Sequence, residues 1–526
     1  MTAKIEKGLL IGMFSITLLC GMLCASALAA YNYDGYSLVT NESGTIKGDV
    51  YVSSGSNAGL QGTSYESNIF VTTFSDVPTS GIKWAELKIG VWGGSASREG
   101  FANATLSSSA GSYTFADVNL NTNNPSSNVD CCGNGLYLIK YNCTGLSPMG
   151  SNSITATINT WPDYTLANTS WLDSRVYGAI LIVVAEDGNC YTQYWINQGL
   201  ENLHKNYTGH DHKDAAITWF NGTAVEGCGC LTVAYLAGDY GQNDFLHFNP
   251  PYCDDTPYVS PYNYNFLNAA WNKTYYSTKY QLDGDDVANA DNNTHKYFDL
   301  HKFCVTGRIN NTANNYATFW RAQNDTGVIY DPAWPGVGDG ESYYSPFLAV
   351  LKIRDCTFDF SNDTSGVAGV DHFAYGYQYP PDPSTEFSSR DYEAIMYEDN
   401  DYAISITDNQ EKYAAQKFVF NVSCCCCNVS LLDAINVTWK GMGVGYNNSG
   451  INTGVDLYIW NYSALAYEKL DGFDVLTGTL NGEVINPENY INNNQIIVLA
   501  EQKSNGISTL MTDYVKLVLV PKNIDC

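Results

Sequence analysis

The sequence predicts an all-β protein, built as tandem antiparallel β-sandwich domains of jelly-roll-like character with long loops. Short segments rich in Val, Ile, Tyr and Thr recur along the chain, and Asn, Asp, Gly and Pro separate them. Several of these segments alternate between apolar and polar residues with the period of a strand. At 526 residues the chain is too long for one hydrophobic core, so two or three β-domains are expected.

The first strongly patterned segment, residues 83–94, predicts a half-buried strand. One face carries Ala85, Leu87, Ile89 and Val91, and the other carries Glu86 and Lys88. We expect residues 68–74 and 136–141 to be its partners. Residues 178–185 are apolar on both faces, as a central strand would be. A strand at 191–197 follows at hairpin distance, and 197–205 is a short helix-like candidate.

Strand-like segments continue to the C-terminus. They are expected at 231–237, 316–320, 347–353, 402–407, 418–427, 434–439, 455–460, 496–500 and 514–520. Residues 360–390 are rich in loop formers and indicate a domain boundary. The predicted organisation is a signal peptide at 1–29, β-sandwich domains at 30–205 and 206–355, and a C-terminal β-sandwich domain at 356–526.

Four consecutive cysteines, Cys424 to Cys427, stand between the acceptor triplets of Asn421 and Asn428. In a strand, alternate side chains point to opposite faces, so immediate neighbours pair badly as disulfides. Each sulfur should therefore find a partner on another strand, domain or chain. A zinc site usually needs wider ligand spacing, and a redox pair needs a following helix, so both alternatives are weaker.

The N-terminus has the pattern of a secretory signal peptide. Lys4 and Lys7 precede an apolar run, and Ala27-Leu28-Ala29 resembles a cleavage site. No second apolar run approaches the roughly 20 residues that span a bilayer, so we expect no transmembrane anchor in the mature chain. The predicted location is outside the cell, in the cell envelope.

Removal of the signal would leave fourteen of the sixteen cysteines, because Cys20 and Cys24 lie within it. An even number of cysteines in an exported chain predicts a disulfide framework, with connectivity left open. The candidates are Cys131, Cys132, Cys143, Cys190, Cys228, Cys230, Cys253, Cys304, Cys356, Cys424, Cys425, Cys426, Cys427 and Cys526. We expect Cys526, which is far from other cysteines in sequence, to be a candidate for a bond to a neighbouring subunit.

Composition fits an exported glycoprotein and argues against nucleic-acid binding. The net charge is -28, whereas nucleic-acid binding needs basic patches. Sixteen Asn-x-Ser/Thr triplets predict N-glycosylation. They begin at Asn41, Asn103, Asn142, Asn168, Asn206, Asn221, Asn272, Asn292, Asn310, Asn324, Asn362, Asn421, Asn428, Asn436, Asn447 and Asn461.

Several blocks carry a family resemblance. They read KWAEL (83–87), GVWGG (90–94), LYLIKY (136–141) and YWINQGL (194–200) in the first part, and INVTW (435–439), VDLYIWN (455–461) and DYVKL (513–517) in the second. The first set resembles a domain of unknown function in secreted proteins of methanogenic archaea, and the second is similar to β-sandwich modules of their surface proteins. The resemblance implies a cell-envelope protein, and the cysteine content points to a disulfide-linked sheath or surface layer.

The sequence shows none of the common catalytic motifs, which favours a non-enzyme. His210-Asp211-His212 could place two imidazoles on one strand face, although a solvated loop is the simpler interpretation. Asp283, Asp285, Asp286 and Asp291 form a weak candidate calcium site, and 398–401 is a second acidic loop. Neither matches an EF-hand, and no other cofactor is indicated.

Three functional hypotheses follow. The first is an extracellular structural protein that self-assembles with copies of itself into a disulfide-stabilised, N-glycosylated layer or sheath. The alternative is a carbohydrate-binding surface adhesin that recognises envelope glycans, with Trp320, Trp334 and Trp460 as candidates for sugar stacking; core packing is the simpler role for each. An exported hydrolase is the third and weakest hypothesis, because any acidic chain offers carboxylate pairs.

Overall fold

The computed structural model describes most of the chain. It covers residues 31–186, 191–204, 213, 215–225, 227–238, 245–249, 281–283, 297–321, 343–354, 356–360, 372–408, 411–422, 432–447 and 450–521. In these ranges no helix is long and apolar enough to cross a membrane.

The first part of the chain, residues 32–354, forms what we call the N-terminal unit. Its strands are β1 (Gly35–Lys47), β2 (Asp49–Ser53), β3 (Asn68–Ser75), β4 (Ile82–Trp92), β5 (Gly100–Ser108), β6 (Gly111–Thr114), β7 (Val118–Leu120), β8 (Val129–Cys132), β9 (Leu136–Asn142), β10 (Ser153–Pro162), β11 (Arg175–Ala185), β12 (Tyr191–Glu201), β13 (Leu203–His204), β14 (Ala215–Phe220), β15 (Cys228–Leu236), β16 (Phe245–Phe248), β17 (Gln281–Asp283), β18 (Phe298–Cys304), β19 (Asn315–Trp320) and β20 (Tyr343–Arg354). Short 3-10 helices span Ser147–Gly150, Asn168–Ser170 and Thr306–Arg308.

These strands form four antiparallel sheets. Sheet I has the order β3-β10-β5-β6, with β7 also on β5; sheet II is β2-β11-β4-β9-β8; sheet III is β1-β12-β20-β15-β18, with β13 on β20; and sheet IV is β14-β19-β16-β17. Sheet III combines strands from both sides of residue 205, because β12 pairs with β20. The division predicted at that position therefore does not separate the sheets.

Three apolar cores lie between the four sheets, which stack in the order I, II, III, IV. Phe74 of sheet I and Leu87 of sheet II share the first core. Ile182 and Val350 belong to the second, between sheets II and III. The third joins Val233 and Phe319, from sheets III and IV. Each fully buried Leu, Ile, Val or Phe contributes about 1.5–3 kcal/mol, so this stack is stabilised on both sides of its middle sheets.

Strand β4 is buried on both faces, whereas the sequence predicted that only one face would be buried. Its apolar positions alternate as predicted and are fully buried towards sheet I. The opposite face was expected to be solvated, yet Lys88 is only 1% exposed because sheet III covers that face. The prediction of a half-buried strand was thus wrong for this face.

Other local predictions were partly correct. Residues 136–141 lie in β9, which pairs with β4 as expected. Residues 68–74 lie in β3, which pairs with β10 and faces β4 only across the core. The helix expected at 197–205 is absent from its described part, because β12 extends to Glu201 and β13 follows. The expected hairpin does not form either, since β11 is in sheet II and β12 in sheet III.

The rest of the chain, residues 356–521, forms the C-terminal unit. Its strands are β21 (Thr357–Asp359), β22 (His372–Tyr379), β23 (Thr385–Glu386), β24 (Ala403–Thr407), β25 (Tyr413–Asn421), β26 (Leu432–Asn447), β27 (Gly450–Thr453), β28 (Val455–Asn461), β29 (Ala466–Phe473), β30 (Thr477–Ile485), β31 (Gln495–Gln502) and β32 (Ile507–Pro521). It also contains the helix α1 (Ser389–Ile395) and a 3-10 helix at Pro487–Asn489.

Two sheets build this unit around one core. Sheet V has the order β21-β32-β26-β27, with β24 on β32 and β30 on β26, and sheet VI is β23-β22-β25-β31-β28-β29. Trp439 of sheet V and Phe418 of sheet VI both lie in this core. Ser388 and Asp391 form a capping box that begins α1. All strand pairs in the described residues are antiparallel, which confirms the predicted all-β, tandem-sandwich fold class.

Candidate functional site

The two outer faces of the C-terminal unit differ in chemistry and are the candidate functional surfaces. We call the outer face of sheet V the aliphatic face and the outer face of sheet VI the aromatic face. Each follows from strand alternation, which sends every second residue into the shared core and the others outward.

The aliphatic face has large apolar side chains in register on neighbouring strands. The most exposed are Ile404 (51%), Ile406 (54%), Tyr446 (59%), Ile451 (75%) and Ile507 (57%). Ile507 lies opposite Tyr446, which lies opposite Ile451. These side chains therefore form one row across three strands.

Two further rows extend this face. Ile404 lies opposite Met511, which in turn lies opposite Met442. Ile406 lies opposite Thr509, which lies opposite Val444. None of these residues carries a charge. Contiguous exposed apolar surface on a sheet marks an interaction site more often than scattered residues do.

The aromatic face has one continuous row across five strands. Tyr375, Lys417, Leu499, Tyr458 and Lys469 stand directly opposite one another in turn. The Lys417 ammonium lies 4.9 Å from the centre of the Tyr375 ring, a cation–π contact. Each tyrosine in this row therefore has a lysine as a neighbour, and Leu499 between the two pairs is only 1% exposed.

A second aromatic group lies beside this row. The rings of Trp460 and Tyr467 meet edge to face, with centroids 4.9 Å apart. The Tyr467 hydroxyl donates to Asp382 at 3.2 Å. Asp382 also lies 3.8 Å from the Lys417 ammonium, so the loop after β22 reaches over the outer face of sheet VI. Burial, and then Asp382, raise the pKa of Tyr467.

Two carboxylates stand side by side on the aromatic face. Asp456 lies directly opposite Glu501 on neighbouring strands. Asp456 is bound by Lys469 at 2.8 Å and by Lys503 at 3.2 Å. Burial, and then Asp456, raise the pKa of Glu501 from its ordinary 4.5 to about 7. Rings beside carboxylate oxygens can hold a sugar, because the rings stack on its C–H face and the oxygens accept its hydroxyl protons.

The candidate calcium ligands lie largely outside the described residues. Asp283 is the last residue of β17, and its side chain is not described; Asp285, Asp286 and Asp291 fall outside the described ranges. Among the residues that are described, no group of three His, Cys, Asp or Glu side chains is placed to hold a metal ion. In the second acidic loop, the amides of Asp399 and Asn400 donate to buried Asp513.

Some of the cysteines predicted to form disulfides lie within the residues that the structure describes, and others do not. Cys190, Cys253, Cys424 to Cys427 and Cys526 lie outside the described residues, and so does His210-Asp211-His212. Cys131, Cys132 and Cys143 are buried and carry thiols in the structure. Cys230 lies directly opposite Cys304 on β15 and β18. Cys228 and Cys356 are both buried in the core of the C-terminal unit. Among the described cysteines the structure thus places Cys230 beside Cys304 and puts Cys228 and Cys356 in one core, and the disulfide framework stays a prediction.

The predicted glycosylation triplets vary in exposure. Asn41, Asn142, Asn168, Asn221, Asn310 and Asn436 are exposed, Asn103 and Asn421 are half-buried, and the side chains of Asn206, Asn272, Asn292, Asn324, Asn362, Asn428 and Asn447 are not described. Asn461 is only 8% exposed, and its Nδ2 donates to Glu468 at 2.8 Å. A glycan on Asn461 would have to displace that contact.

The structure describes the surroundings of only one of the three tryptophans that were predicted to stack on sugars. Trp460 lies on the aromatic face, as described above. Trp320 ends β19, with its side chain not described, and Trp334 falls outside the described residues. The Tyr375 row was not predicted from the sequence, although the alternating Tyr residues in 373–379 were an available signal.

Several solved structures resemble this chain. One is PNGase F, a glycosylasparaginase from Flavobacterium meningosepticum, at 12% identity and a TM-score of 0.19, over 59% of this chain and 96% of that one. Another is the CBM22-1-CBM22-2 tandem domain of Paenibacillus barcinonensis Xyn10C, at 8% identity and a TM-score of 0.18, over 64% and 89%. A third is the triple jelly roll protein of an archaeal virus turret, at 9% identity and a TM-score of 0.16, over 92% and 90%.

No curated protein matches the chain. Residues 369–521 match a family model described as an uncharacterized protein, C-terminal domain, which coincides with most of the C-terminal unit. Residues 32–354, more than half of the chain and the whole four-sheet stack, match the model of a protein of unknown function, DUF3344. The chain therefore belongs to the DUF3344 family.

Proposed function

We propose that this protein is an extracellular structural subunit of a cell-envelope layer or sheath, and that copies associate through the aliphatic face. The observation that carries the proposal is the row Ile507, Tyr446 and Ile451, each more than half exposed and in register. Burying these side chains against a second copy removes apolar surface from water at about 25 cal/mol per Å². Predicted export, glycosylation and disulfides fit the same role.

The absence of charge in the three rows described above supports association between identical copies, and the charged residues of this sheet face, such as Lys440 and Glu483, lie outside those rows. With a net charge of -28, most surfaces of two copies would repel each other. Uncharged rows let them approach where repulsion is weakest. Apolar contact can then exceed the remaining long-range repulsion, which salt screens over about 10 Å at 0.1 M ionic strength.

The test is the association state of the mature chain with Ile451→Lys and Ile507→Lys. We expect the wild type to elute as an oligomer in light-scattering chromatography and the double variant as a monomer with an unchanged circular dichroism spectrum. Ile69→Lys is the matched control, since Ile69 is a 73% exposed strand residue of the N-terminal unit. Oligomers that survive in the double variant would refute this interface.

A second candidate function, carbohydrate binding, is favoured by the aromatic face. Tyr375 and Tyr458 share one row with two lysines, and Asp456 and Glu501 supply carboxylate oxygens beside it. The ligand class would be a glycan of the envelope. Tyr458→Ala with Trp460→Ala should abolish retention on immobilised envelope polysaccharide, whereas Tyr113→Ala, a 44% exposed tyrosine of sheet I, should not. Equal retention of all three proteins would exclude this surface.

A further inference from the structure

A lysine is fully enclosed between the two middle sheets of the N-terminal unit. Lys88 is on β4 of sheet II, and none of its side chain is exposed. Its Nζ donates to Oε1 of Gln198 at 2.7 Å. The same nitrogen lies 2.8 Å from a carboxylate oxygen of Glu86. Gln198 is on β12 of sheet III, so these contacts cross from one sheet to the next.

The environment favours an uncharged amine at Lys88. Its strand neighbour Ile180 belongs to the apolar core between sheets II and III. Burial is the main cause that lowers the pKa of Lys88, and nearby Lys140 acts in the same direction, while Glu86 opposes them. A buried lysine beside a carboxylate that can accept its proton can act as a nucleophile, since only the neutral amine can attack a carbonyl carbon.

The Gln198 amide is placed for that attack. Oε1 is bonded to Cδ at about 1.23 Å, so Nζ lies no farther than about 3.9 Å from this carbon. This distance is close to the contact that near-attack geometries require. Gln198 is 7% exposed, and its Nε2 has no hydrogen-bond partner among the described residues. Nothing there holds the amide nitrogen, which is the group that would leave.

A route to solvent exists beside these residues. Glu86 and Gln198 both line a cleft of about 450 Å³, which Asn41, Asn142 and Lys140 also line. Ammonia released at Gln198 could therefore leave without opening the core. Lys88 itself does not line the cleft, so bulk water does not solvate its amine.

We propose that Lys88 and Gln198 join in an intramolecular isopeptide bond, with Glu86 as the acid–base group. Glu86 takes a proton from the Lys88 ammonium, and the neutral Nζ attacks Cδ of Gln198 to form the new C–N bond. Glu86 accepts a further proton from Nζ as it returns the first to Nε2. The C–Nε2 bond then breaks, and Nε2 leaves as ammonia. The products are a secondary amide and ammonia, so atoms balance and no oxidant is needed.

The bond would connect sheets II and III, and with them the two halves of the four-sheet stack. The linked residues are 110 positions apart, so the bond would close a long loop in the unfolded chain. A cross-link of this kind resists unfolding much as a long-loop disulfide does. Unlike a disulfide, it does not respond to reductant.

The test is peptide mapping of the full mature chain by tandem mass spectrometry. We expect a branched tryptic peptide that joins the segments around Lys88 and Gln198 and is lighter by about 17 Da, the mass of one ammonia, than the sum of its parts. Trypsin should fail to cut after Lys88. Wild-type peptides that are unlinked, with cleavage after Lys88, would overturn the proposal.

Three variants distinguish a loss of the cross-linking reaction from a loss of folding. Lys88→Met removes the nucleophile and Glu86→Gln removes the acid–base group, so both should lose the linked peptide while keeping a β-type circular dichroism spectrum. Lys83→Met is the matched control: Lys83 is also on β4, but its side chain is 54% exposed and pairs with Glu186 instead. It should keep the bond. Full linkage in a folded Glu86→Gln variant would refute the role of Glu86.

Discussion

The carboxylate of Asp513 and the ammonium of Lys440 lie 2.9 Å apart in sheet V. None of the Asp513 side chain is exposed, although it carries a charge. A β-bulge explains its position: Lys440 pairs with Tyr514 and Gly441 with Thr512, which leaves Asp513 without a cross-strand partner. The other carboxylate oxygen of Asp513 accepts hydrogen bonds from the backbone amides of Asp399 and Asn400. Asp513 therefore holds the acidic loop in place.

Replacing Asp513 with Ala should destabilise the C-terminal unit by about 2–4 kcal/mol, because the loop amides lose their acceptor and Lys440 loses its buried partner. Urea unfolding followed by tryptophan fluorescence measures this loss. Asp513→Asn keeps one acceptor oxygen and should lose less. An effect below about 0.5 kcal/mol for Asp513→Ala would mean that the loop is held by other contacts.

The stability of the C-terminal unit should depend on pH through Glu501. Its folded pKa of about 7 is above its ordinary value of 4.5, so the folded state holds the proton more tightly. The resulting stabilisation is fully present below pH 4.5 and is lost as pH rises through 7. The melting temperature of the wild type should fall more between pH 5 and 7.5 than that of Glu501→Gln. Glu483→Gln, on exposed β30, is the control and should keep the wild-type slope.

Alternation of apolar residues was enough to predict most strands and the fold class. The segment 455–460 became β28, and 347–353 lies within β20, since each buries every second residue or is apolar throughout. The partners were harder to predict. Alternation specifies which face of β3 is buried, but it does not distinguish a hydrogen-bonded neighbour from a strand across the core.

The burial of Lys88 could not be predicted from sequence. A charged residue at every second position normally indicates a solvated face. Here sheet III covers that face, and the covering strand is more than 100 residues away along the chain. Tyr375 and Tyr458 each lie in a segment whose alternation could be read from the sequence. That they belong to one row depends on the order of the strands in sheet VI, which only the fold shows.

Differential alkylation should test the buried cysteines. Burial raises the pKa of the Cys143 thiol to about 12, and it also raises the pKa of Cys131 and Cys132. Buried, protonated thiols react slowly, because the thiolate is the nucleophile. In the native chain without reductant, all three should escape iodoacetamide. A second, isotopically distinct reagent should label them in denaturant. If labelling also requires reductant, these residues are in disulfides, as the sequence predicts.

The ion pair of Lys213 and Glu201 offers a test of the packing between β1 and β12. Both side chains are at most 5% exposed, and the Lys213 ammonium also donates to the backbone oxygen of Asp34 at 2.7 Å. Removing one member of a buried pair leaves the other charge without compensation. Lys213→Met should therefore cost about 3–5 kcal/mol of unfolding free energy. Lys213→Met with Glu201→Met should recover much of this loss, because no charge then stays buried. If the double variant is as unstable as the single one, the hydrogen bond to Asp34 and local packing, rather than the unpaired carboxylate, are responsible.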